Sequence, residues 1–64
     1  HEPNERASRM LGELFGHYLK HPAEMGEWSR RRARKVGRAR AVCDYVAGFT
    51  DRYVMEEHAR VFGT

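Results

Sequence analysis

Cysteine is nearly missing: Cys43 is the single one in 64 residues, so no intrachain disulfide can form and a disulfide-framed secreted scaffold is excluded. A lone thiol fits a reducing compartment, and a cytoplasmic location is the expectation. Long apolar runs are also missing. None approaches the roughly 18 residues that span a bilayer, and no charged-then-apolar leader opens the chain, so a soluble protein without a membrane partner is expected. Strand signals are lacking too, with neither apolar–polar alternation nor an Asn-Gly hairpin dipeptide, and no internal repeat is present. Length is itself a shortage. Chains below roughly 70 to 80 residues bury little apolar surface and lean on disulfides, a metal or a partner. The chain is one small domain or a piece of a larger one.

Acidic residues are absent from one stretch. Residues 30–40 hold seven basic side chains (Arg30, Arg31, Arg32, Arg34, Lys35, Arg38 and Arg40), whereas the remainder carries five basic and nine acidic ones. The net charge of +3 therefore reports one segment of an otherwise acidic chain. Arginine forks suit phosphates, which makes nucleic acid a candidate partner through residues 30–40. A solvated or acid-paired helix face explains the run as well as a phosphate-binding or inter-subunit role does. Trp28 is the only nearby aromatic, and no recognised nucleic-acid module accompanies it.

What is present is helical periodicity. Ala7, Met10, Leu11, Leu14, Phe15, Tyr18 and Leu19 recur at the spacing of one amphipathic face between Asn4 and Lys20. Asn4 is the expected cap, and Pro22 ends the helix by disfavouring helical geometry at His21. Gly12 and Gly16 stand one turn apart, where another helix backbone could approach. His21 to Ser29 reads as a connection anchored by Met25 and Trp28, with Ser29 as a candidate N-cap. Val36, Ala39, Val42, Cys43, Val46 and Ala47 mark a second helix from about Arg34 to Phe49. After a break at Gly48, Thr50 caps a third helix with Asp51 in its first turn. Val54, His58, Val61 and Phe62 form its inner face, and Gly63 stops it. The expectation is an all-α assembly of three helices.

Residues with chemical potential are few. His17 and His21 share the i, i+4 spacing of paired metal ligands, but His1, His58 and Cys43 supply no further ligand spacing, so solvated histidines are expected and no metal site. Cys43 falls on the inward stripe, where a buried thiol is the usual state. No phosphate loop or nucleophile–base–acid set is visible.

The string Arg40-Ala41-Val42-Cys43-Asp44-Tyr45-Val46-Ala47-Gly48-Phe49-Thr50-Asp51-Arg52-Tyr53 resembles the C-terminal signature of bacterial deoxyguanosine triphosphate triphosphohydrolase-like proteins, with Phe49 where methionine is usual. Glu57-His58-Ala59-Arg60-Val61-Phe62 is similar to the closing helix of that family, and Leu14-Phe15, Tyr18-Leu19, His21-Pro22, Met25 and Trp28 match more loosely. The resemblance implies a parent enzyme whose all-helical HD domain hydrolyses a deoxynucleoside triphosphate to deoxynucleoside and triphosphate with a divalent metal, manganese or magnesium. The family's metal ligands, a His, a His-Asp pair and a distant Asp, lie upstream of the matched region, and this chain has no His-Asp dipeptide. Residues 1–64 are thus expected to form one helical C-terminal region, without catalytic residue or cofactor, that supports the parent's catalytic domain and a homo-oligomer. Within the signature, a structural corner (Gly48 turning the chain, Thr50 and Asp51 starting a helix) stands beside direct substrate or phosphate contact by Asp44, Tyr45, Asp51 or Arg52.

Overall fold

Proline and glycine divide the chain into its elements. The computed structural model describes residues 2–63, with side chains from residue 5 onward. Helix α1 spans Glu2–Lys20, and Pro22 opens a short 3-10 turn, Pro22–Met25. Helices α2 (Glu27–Val36), α3 (Arg38–Val46) and α4 (Asp51–Phe62) follow. The fold is all-α, as expected, and among the described residues no helix is long and apolar enough to cross a membrane. Thr50 caps α4 by accepting the Tyr53 backbone N–H at 3.0 Å, and Gly63 ends it in the left-handed conformation. Because α1 begins at Glu2, ahead of Asn4, it does not start where the sequence suggested; the Asn4 side chain itself lies outside the described residues.

The expected second helix is two helices. Gly37 takes φ 96° and ψ 151°, a conformation open essentially to glycine, and it separates α2 from α3. Helix α2 begins at Glu27 behind Gly26, so Ser29 is a buried residue inside the helix instead of its cap. Helix α3 ends at Val46, where the Phe49 N–H donates to the Val46 carbonyl at 3.0 Å and closes the corner. Gly48 has no positive φ, and a Cβ built there would meet nothing within 4 Å among the described residues, so this corner does not depend on glycine.

Leu14, Tyr18, Met25, Val42, Val46 and Val54 form the core, flanked by half-buried Met10, Leu11, Phe15, Leu19, Tyr45, Phe49 and Val61. Helix α1 is central. Helices α3 and α4 both pack on it, while α2 packs on α3 and the 3-10 turn. The molecule measures 36 × 23 × 15 Å. Its radius of gyration of 11.7 Å exceeds the roughly 10.7 Å of a compact chain of this length, as a slab requires.

A slab leaves helix faces uncovered, and several expected core residues stand on them. Trp28 is 71% exposed and anchors nothing, Val36 and Phe62 are largely exposed, and so are Ala39 and Cys43. The cause on α3 is register. A periodicity extrapolated through Gly37 groups positions 36, 39 and 43, but the break restarts the helix with Ala41, Val42 and Val46 facing inward. Among the described residues, α1's own backbone aside, no atom comes within 4 Å of a Cβ built at Gly12 or Gly16, so no described helix packs closely against that pair.

Candidate functional site

Polar side chains meet between α1 and α4. Val54, Glu57, His58 and Val61 share the i, i+3, i+4, i+7 face of α4, which carries an acid, Glu57, into the packed side of the helix. A buried carboxylate must be paired and hydrogen-bonded. Glu57 receives a hydrogen bond from the Tyr18 hydroxyl of α1 and a two-pronged one from Arg60, whose Nε and Nη2 each lie 2.8 Å from a carboxylate oxygen. Arg60 Nη2 also reaches Glu24 of the 3-10 turn at 3.4 Å, and His17 Nε2 donates to the same Glu24 oxygen at 2.8 Å. His58 and Glu13 form a second bridge between α4 and α1.

Proton affinities follow from these contacts. Arg60 holds the Glu57 carboxyl below the usual glutamate range, against burial, which pushes the other way. Burial, reinforced by the neighbouring Glu57, drives the Tyr18 hydroxyl well above the ordinary tyrosine range. The hydrogen bond from His17 lowers Glu24. Among the described residues no buried side-chain polar atom lacks a partner. The network is a brace in which both oxygens of the buried Glu57 carboxylate are taken up.

Its members do not fit a metal centre. The His17 and His21 rings lie 4.9 Å apart, but His17 is engaged by Glu24, and among the described residues no three His, Cys, Asp or Glu side chains converge. His1 lies outside the described residues. Cys43 is an exposed free thiol.

The basic run is distributed over three places. Arg30, Arg34 and Arg38 line a groove with Pro22 and Ala33. On another part of α2, Arg31, Arg32 and Lys35 surround Trp28, with the Arg32 guanidinium 5.8 Å from the indole centre. Arg40 belongs to α3 and pairs with Asp44 at 3.5 Å.

Of the four residues suggested by the resemblance, Asp44 is taken up within the fold. Arg32 Nε and Nη2 bond its Oδ2 at 3.0 and 2.8 Å, which ties α2 to α3 across the Gly37 break and lowers the Asp44 pKa. Tyr45 is half-buried in an edge-to-face aromatic row, 5.2 Å from both Tyr18 and Phe49, with Tyr53 4.6 Å beyond Phe49. Burial raises its hydroxyl pKa. Asp51 and Arg52 are exposed in the first turn of α4, where Arg52 reaches Glu56 at 3.1 Å. Among the described residues no hydrogen bond or ion pair joins Asp44 or Tyr45 to Asp51 or Arg52. Sequence reasoning missed Glu24, Glu57 and Arg60 as a unit. The signal for Glu57 was available, since it interrupts the apolar spacing of Val54, His58 and Val61.

Comparison with known proteins places the sequence in a family. The model of the phosphohydrolase-associated domain matches residues 1–60. Three similar proteins, each named a deoxyguanosinetriphosphate triphosphohydrolase-like protein, come from Caulobacter sp. (47% identical over 60 residues), Deinococcus radiodurans (45% over 58) and Geobacter metallireducens (42% over 57). Between 89% and 91% of the chain is covered in these matches, yet it spans only 15–16% of the relatives' length. No solved structure matches.

Proposed function

Because the chain belongs to the phosphohydrolase-associated domain family, we propose that it is the helical support of a longer enzyme that hydrolyses a deoxynucleoside triphosphate, dGTP or a close analogue, to deoxynucleoside and triphosphate. The observation that carries this reading is the brace of Tyr18, Glu57, Arg60 and Glu24. It invests the chain's buried polar groups in holding α4 and the 3-10 turn onto α1, which is the work of a scaffold. Exposed Trp28, Val36, Tyr53, Met55 and Phe62 supply apolar area for contact with a neighbouring domain. The divalent metal of such an enzyme would belong to its HD domain, since among the described residues of this chain no three His, Cys, Asp or Glu side chains converge. Asp44 and Tyr45 hold α3 in place, whereas Asp51 and Arg52 are open to the neighbouring domain or its substrate.

A chimera tests the proposal. This chain replaces the matching segment of the Caulobacter relative, and dGTP hydrolysis, metal dependence and sedimentation are compared with the parent. Hydrolysis and metal dependence should be retained, and Glu57→Ala should lower the melting temperature of the chimera without altering its metal requirement. Metal-dependent release of triphosphate by the 64-residue chain alone would overturn the assignment.

A further inference from the structure

The groove lined by Pro22, Arg30, Ala33, Arg34 and Arg38 is used neither by the brace nor by the core. Three guanidinium groups border it, and carboxylate compensation there is slight. Arg30 meets Glu27 only at 3.7 Å, and Glu27 is shared with Arg31 at 3.4 Å. Arg34 has no carboxylate within 4.0 Å among the described residues, and its α2 neighbours Arg31 and Lys35 belong to the patch around Trp28. Arg38 is already held, since its Nη1 donates to the Leu19 carbonyl at the end of α1 at 2.9 Å while the rest of its fork is left for another acceptor. Positive charge is therefore concentrated in a cleft with one arm positioned in advance.

We infer that this groove binds a small oligophosphate, such as inorganic triphosphate or the phosphate tail of a nucleotide. Arg30 and Arg34, at i and i+4, are displaced by about 6 Å along α2, and Arg38 adds a third fork from the start of α3, so the lining suits a string of phosphates better than one tetrahedral ion. Each guanidinium offers the planar fork that matches phosphate oxygens. The remaining lining, Pro22 and Ala33, offers nothing on which a base could stack, and the aromatic that could do so, Trp28, lies in the separate patch. Recognition is thus of phosphate rather than of base or sequence, which separates this groove from a single-strand binding surface. The inference stands on the groove itself and does not require that the chain support a hydrolase.

Calorimetric titration of the chain with inorganic triphosphate at physiological salt is the test, with orthophosphate and a single-stranded thymidylate oligomer as parallel ligands. Triphosphate should bind more tightly than orthophosphate. Arg34→Gln, at an exposed position, should weaken triphosphate by about tenfold or more, and Arg38→Gln likewise, with circular dichroism confirming that helicity is kept. Arg31→Gln, outside the groove, should change affinity by less than about twofold. Equal losses in Arg31→Gln and Arg34→Gln would mean diffuse attraction and overturn the site, as would no binding of triphosphate. Tighter binding of the oligomer, dependent on Trp28, would instead assign the basic surface to nucleic acid and equally defeat the inference.

Discussion

At the scale of single residues, Glu57 and Tyr18 contribute to the pH range of stability, beside Glu24 and Asp44 on the acid side and Tyr45 on the alkaline side. An unfolded chain takes up protons at its glutamates near 4.5, whereas the folded one keeps Glu57 and Glu24 ionised to lower pH. Over that interval the unfolded state binds more protons, so stability falls as pH drops below the ordinary carboxylate range. The alkaline limb has the opposite cause. Unfolded Tyr18 ionises near 10.0, but the folded hydroxyl stays protonated, so stability declines as pH rises past that point. Urea unfolding followed by circular dichroism from pH 3 to 11 should give a plateau bounded by both declines. Tyr18→Phe should weaken the alkaline decline and cost about 1.5–3 kcal/mol on the plateau, the usual worth of a hydrogen bond to a charged group. Arg60→Gln should move the acid decline to higher pH. A profile unchanged by either substitution would remove the brace from the stability of the fold.

Among the elements, the corner between α2 and α3 carries the sharpest expectation. In one continuous helix, Gly37→Ala would gain about 1 kcal/mol from helix propensity. At φ 96° and ψ 151° the same change costs on the order of 1–3 kcal/mol, because a Cβ is not tolerated there. The unfolding free energy should therefore fall, and straightening to relieve the strain would part Arg32 from Asp44, whose bonds cross the corner. A rise in stability with added helicity would show that residues 27–46 form one helix in solution.

For the whole molecule, the slab predicts unequal protection. Helix α1 is covered by both α3 and α4 and contains fully buried Leu14 and Tyr18, whereas α2 packs only on α3 and the turn and buries Ser29 alone. Amide hydrogen exchange should accordingly be slowest from Leu14 to Tyr18 and fastest, among the helices, in α2. Protection of α2 equal to that of α1 would indicate a cover on its basic and aromatic faces, such as a second copy of the chain, and sedimentation would detect it. One 15 Å layer of short helices is consistent with a part whose remaining apolar surface meets a larger protein.

Local chemistry was decided by the sequence alone. Pro22, Thr50 and Gly63 end, start and stop helices because each acts on its own backbone, and the periodicity placed Leu14, Tyr18, Val42, Val46 and Val54 inside because facing residues recur every turn. Within the 40–53 signature the Thr50 cap rested on the same short-range effect, whereas the turn assigned to Gly48 needs no glycine. What only the tertiary structure decided are the relations between helices. Gly37 reset the register and turned Cys43 outward; Trp28 points to solvent because nothing in the fold covers that side of α2; and Arg60 found Glu24 across 36 residues. The seven cations of residues 30–40 parted into a groove, an aromatic patch and an ion pair for the same reason: a helix fixes which side chains share a face, but only its neighbours determine which face is buried, which is paired and which is left for a ligand.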